Sequence, residues 1–124
     1  MDTAAAMFIF DCFAAAISIR GATMNLLTFY VSEKQHHGGM PLYEWLLEEA
    51  KTMGVHGGSA FRAIAGFGRH GRMHEETFFE LAGELAVKVE FILDDALAGQ
   101  LLEKVRNQDM NVFHTKQTLQ AGVV

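Results

Sequence analysis

A chain of 124 residues, half of them hydrophobic and a fifth charged, has the length of one domain and enough apolar side chain for a core, which excludes a disordered chain and a second folded unit. Ten Lys plus Arg against fifteen Asp plus Glu leave a net charge of −5, the wrong sign for a protein held on nucleic acid by its phosphates. The single cysteine, Cys12, permits neither an internal disulfide nor a cysteine-based zinc site, and the reading is a cytoplasmic protein.

Ala4 to Ile19 is an apolar stretch interrupted by Asp11 and preceded by Met1-Asp2-Thr3. It lacks the basic start of a secretory signal and is short for a membrane helix, which needs about 20 apolar residues. Residues 1–23 therefore read as an N-terminal extension outside the core, and residues 24–124 as the domain.

Asn25 to Ser32 (NLLTFYVS) is an aliphatic and aromatic run without a turn former, which predicts a first strand. A polar loop containing Gly38-Gly39 follows, and Leu42, Leu46, Ala50 and Met53 then recur at helical spacing from Pro41 to a C-terminal cap at Gly54. Ser59 to Phe67 predicts a second strand. Ala86 to Leu93 predicts a third, with Val87, Val89, Phe91 and Leu93 alternating against Lys88 and Glu90. Asp94 or Asp95 can cap a second helix that carries Leu97, Leu101 and Val105, and Met110 to Thr118 reads as a fourth strand. The order β-α-β-β-α-β predicts an α+β, ferredoxin-like domain: an antiparallel four-stranded sheet with both helices on one face. The other face, expected to be apolar, needs a cover, and a further copy of the chain is the expected one.

Three segments carry a resemblance to a known family. His37-Gly38-Gly39-Met40-Pro41-Leu42-Tyr43-Glu44, then Gly57 to Gly68 (GGSAFRAIAGFG), then Arg72-Met73-His74 resemble the domain of unknown function 190 family over about residues 24–109. That family is similar in fold to the PII signal-transduction proteins, and the resemblance implies a homotrimer, a regulatory role, a mobile loop between the second and third strands, and ligand sites in the clefts between subunits. Asn107 to Asn111 contains no glycine, which departs from the Gly-rich phosphate loop that PII proteins carry before their last strand.

The residues themselves point to an anion. No acidic residue falls between Glu49 and Glu75, while Lys51, Arg62, Arg69 and Arg72 do, with His56, His70 and His74. In GFGRHGR, Gly66, Gly68 and Gly71 let backbone N–H groups approach a ligand, and guanidinium forks supply paired donors for phosphate or carboxylate. The expected ligand-binding set is His37, Arg62, Gly66, Phe67, Gly68, Arg69, His70, Arg72 and His74. The expected ligand is a small anion, a nucleotide before others, with Gly66 to His74 changing order on binding and passing the signal to a membrane or enzyme partner. Arg62 has a second expected use, an ion pair with Glu90 across the sheet. The pairs His36/His37 and His70/His74 support an alternative, a divalent-metal homeostasis protein of similar trimeric fold. No cofactor is expected. No nucleophile-base-acid set is visible, and Glu33 to Gly39 lacks the arginine of an acylphosphatase-like loop. Sheet aromatics such as Phe29 and Phe91 would serve single-stranded RNA only on a basic sheet.

Overall fold

A computed structural model describes residues 23–66 and 86–123. Its elements run β1 (Met24–Ser32), β2 (His36–His37), β3 (Met40–Pro41), α1 (Leu42–Thr52), β4 (Gly58–Arg62), β5 (Ala86–Leu93), α2 (Asp95–Arg106) and β6 (Phe113–Leu119). The main sheet is antiparallel in the order β4-β5-β1-β6, which is the ferredoxin-like arrangement.

Side-chain parity divides this sheet. On the helix side, Leu27, Phe29 and Val31 of β1 lie beside Val87, Val89, Phe91 and Leu93 of β5, and all are buried. Leu42, Leu46 and Ala50 of α1 and Ala98, Leu101 and Val105 of α2 close over them. Each such fully buried Leu, Val or Phe contributes about 1.5–3 kcal/mol relative to exposure, so this single layer dominates the stability of the fold. At its centre Phe29 meets Phe91 edge to face, with ring centroids 6.4 Å apart. Phe29 and Phe91 thus point into the core and cannot stack on bases.

The opposite face is banded, which corrects the expectation of an apolar surface. The register places Phe61, Lys88, Tyr30 and Phe113 in one row across all four strands, and Ser59, Glu90, Thr28 and Thr115 in the next. Tyr30, Phe61 and Phe113 are exposed, whereas Thr28 and Met24 on the same face are buried. Exposed aromatic surface is therefore concentrated at one end of the sheet, where β4 finishes and β5 begins.

Local chemistry sets the element ends. Asp94 caps α2 by accepting a hydrogen bond from the Leu97 N–H at 2.8 Å. Asp95 is left to accept from the buried Asn25 amide at 2.6 Å and to face Lys116 at 3.7 Å, joining β1, α2 and β6. α1 ends at Thr52, and Gly54 follows with φ of +94°, the left-handed position that closes a helix. β2 and β3, expected as loop, form a hairpin because Gly38 and Gly39 both adopt positive φ, the turn that joins two strands through two residues. β4 stops at Arg62 rather than continuing to Phe67, because its partner β5 starts at Ala86 and the last ladder pair is Arg62 with Val87.

Gly58 lies opposite Phe91, and a Cβ at this position would overlap the buried ring. Gly58→Ala is expected to destabilise the fold by ~1–3 kcal/mol through overpacking, read as a lower denaturation midpoint. An unchanged midpoint would show that the ring yields and that the contact does not constrain the strands.

Candidate functional site

The ends of β4 and β5 are tied by a hydrogen bond from the Ala63 N–H to the Ala86 carbonyl at 2.8 Å. Beyond them the chain passes through the segment that holds most of the expected anion site. Phe67, Gly68, Arg69, His70, Arg72 and His74 lie outside the described residues, as do Cys12 and the rest of residues 1–22 of the extension. Arg62 and Gly66 stand at the root of that segment. His37 stands in the β2–β3 hairpin, which follows the end of β1.

A cleft opens at this root, lined by Tyr30, Phe61, Arg62, Ala63, Ala86 and Lys88. Tyr30, Phe61 and Lys88 reach it from the outer face of the sheet. The Lys88 ammonium lies 5.4 Å from the centroid of the Phe61 ring and 2.9 Å from Glu90. Its hydrogen bond to Glu90, reinforced by the carboxylate charge, raises the Lys88 pKa above the usual lysine value. Tyr30 is tilted against Phe113, centroid to centroid 5.7 Å, and extends the aromatic row beyond the cleft.

Arg62 does not pair with Glu90. It is opposite Val87 in the register and belongs to the helix side, whereas Glu90 belongs to the outer face, and the pleat separates them. Its Nε instead donates to Glu33 Oε2 at 2.6 Å, in the turn that follows β1. The Arg62 side chain remains 64% exposed and that of Glu33 only 18%. One end of the sheet thus carries an arginine on one side and a lysine on the other, both held by surface ion pairs worth about 0–1 kcal/mol. Each cation has more donors than its carboxylate uses, and a charge-assisted bond from such a donor to a ligand anion typically contributes about 1.5–3 kcal/mol.

His37 is engaged within the subunit. Its ring stands edge-on to Trp45 with centroids 4.8 Å apart, and its Nε2 is 3.1 Å from Gln108 Oε1 just after α2. His36 contacts the Lys34 carbonyl through Nδ1, and His114 packs against Phe29. Among the described residues no three His, Cys, Asp or Glu side chains gather in a group that could hold a metal ion.

Reasoning from sequence passes over Glu33, Lys88, Tyr30 and Phe61 as site residues. A signal for one of them is present: Lys88, like Glu90, interrupts an apolar strand at period two, which puts it on the face away from the core.

Comparison with known proteins agrees with this geometry at the level of family and fold. A model of the family DUF190, described as "Uncharacterized ACR", matches residues 24–120. The chain belongs to the domain of unknown function 190 family. It is 34% identical over 90 residues to a UPF0166 protein of Aquifex aeolicus (strain VF5), an alignment covering 73% of this chain and 86% of that protein. Its fold is similar to the crystal structure of a Thermus thermophilus protein assigned as a PII-like signalling protein, with a TM-score of 0.56 and 16% sequence identity over 82% of this chain and 91% of that one. This member of the family accordingly has a PII-like, ferredoxin-like fold. Among its described residues no helix is long and apolar enough to cross a membrane.

Two substitutions separate a surface role from a structural one. Arg62→Ala should change the unfolding free energy by less than about 1 kcal/mol, as expected of an exposed pair. His37→Ala should cost more, about 1–2 kcal/mol, because it removes an aromatic contact and a hydrogen bond together. Chemical denaturation of both variants checks the order. The reverse order would make Arg62 a structural residue and weaken its place in a ligand site.

Proposed function

We propose that this chain is a non-enzymatic, PII-like regulator acting in the cytoplasm as a homotrimer, and that it binds a small anionic ligand, a nucleotide before others, in a cleft between subunits. The observation that carries this reading is the cleft of Tyr30, Phe61, Arg62, Ala63, Ala86 and Lys88, which joins exposed rings to two surface cations where β4 and β5 part. Rings of this kind stack on a planar base, and the cations answer a phosphate. Inorganic phosphate would use only the second of these features.

The trimer is supported by the aromatic row. Phe61, Tyr30 and Phe113 together present exposed apolar surface on one end of the sheet, and a copy of the chain seated there would bury it and wall the cleft from outside. In this reading Arg69 and Arg72 complete the anion contacts, and the segment from Gly66 to His74 changes order when the ligand binds. A change of order there alters the surface offered to a partner protein, a membrane or enzyme protein whose activity is regulated.

Titration calorimetry and thermal unfolding with ATP test the ligand. Binding should raise the melting temperature by mass action. Arg69→Ala combined with Arg72→Ala should abolish that rise while leaving the free protein's melting temperature nearly unchanged. A double variant that binds ATP as tightly as the parent would remove the arginines from the site. Light scattering at micromolar concentration should return three times the 13.7 kDa chain mass, and a monomer mass would overturn the assembly.

A further inference from the structure

The contact between Arg62 and Glu33 is made through the arginine Nε, which governs how the guanidinium can meet a ligand. An arginine carries five donors in a rigid planar fork. Engagement at Nε restricts how that fork can turn and leaves the two terminal nitrogens as a bidentate edge. Of the two partners Glu33 is the more shielded, at 18% side-chain exposure against 64% for Arg62, so the carboxylate is the fixed member and the arginine the presented one.

The backbone around Glu33 is held as well. The Lys34 N–H donates to Ser32 Oγ at 3.2 Å, the Ser32 N–H donates to Gln35 Oε1 at 3.3 Å, and the Gln35 N–H returns to the Ser32 carbonyl at 3.0 Å. The Gln35 carbonyl then accepts from the Leu42 N–H at 2.7 Å, anchoring the turn to the start of α1. Such support is more than an isolated surface pair requires.

We infer that Glu33 is a positioning residue for the anion site: it orients the Arg62 guanidinium toward the root of the β4–β5 segment while its own negative charge holds the site's affinity down. The inference rests on the anion-binding reading of that root, and it makes the two effects separable. Glutamine keeps an oxygen acceptor for the arginine Nε and removes the charge; alanine removes both. Orientation and charge therefore move affinity in opposite directions.

The experiment measures ATP affinity by titration calorimetry on the full chain for the parent, Glu33→Gln, Glu33→Ala, and each with Arg62→Ala. Glu33→Gln should bind ATP roughly two- to fivefold more tightly than the parent, the scale of an exposed ion pair that no longer competes. Glu33→Ala should bind more weakly than Glu33→Gln. The difference between the two should vanish in the Arg62→Ala background, which ties the effect to the guanidinium. Equal affinities for the glutamine and alanine variants, or a difference that persists without Arg62, would overturn the positioning role while leaving the anion site standing. No binding of ATP by the parent would instead overturn the site itself, and the positioning role with it. Circular dichroism and Trp45 fluorescence confirm that each variant keeps the fold.

Discussion

The ring of Phe91 fills the space that a side chain at position 58 would need, and from this contact the face of every residue at the candidate site follows. With Gly58 opposite Phe91, Arg62 must stand opposite Val87, on the helix side, and Phe61 must stand opposite Lys88, on the outer side. A slip of β4 by one residue would exchange its two faces, moving Arg62 away from Glu33 and Phe61 into the core. The register is guarded from the other side too, since Phe91 is packed edge to face on Phe29 in the central strand. A chemical site at the sheet end is thus specified by an apolar contact near the opposite end of β4.

This dependence explains why the two cations behave as they do. Neither is held by burial, since both sit at strand ends in surface ion pairs. Their value lies in being available. The core holds the strands without them, so their remaining donors can serve a ligand, and the Ala63–Ala86 hydrogen bond ties the departing segment to the strands that carry them. His37 occupies the contrasting position, tied to Trp45 on α1 and to Gln108 after α2.

The order of strands and helices is legible in the sequence because the forces behind it are periodic. Val87, Val89, Phe91 and Leu93 alternate, and Leu42, Leu46 and Ala50 repeat at helical spacing, so burial follows directly from pattern. The β2–β3 hairpin is not legible as strand, since two-residue strands carry no period; its one signal, Gly38-Gly39, reads equally as loop. The run Ala63 to Phe67 looks like more strand because propensity does not know where the partner strand begins. The Arg62–Glu33 pair is hidden for a related reason: opposite charges can be matched on paper across any two strands, and only the register, set by Gly58 and Phe91, decides which side of the sheet each occupies. The rings of the candidate cleft are hidden because Tyr30 and Phe61 are ordinary strand residues whose exposure depends on position at the sheet end. The family resemblance carries further than the pattern, to a PII-like fold, and stops short of a ligand.

The central claim is that an anionic ligand is received where β4 and β5 part. Amide hydrogen exchange of the full chain with and without ATP tests it most directly, because it reports by position and needs no substitution. The account predicts slower exchange in the ATP complex at residues 58–66 and 86–88, with α2 (Asp95–Arg106) unaffected. ATP binding that protects α2 and leaves the ends of β4 and β5 unchanged would contradict it.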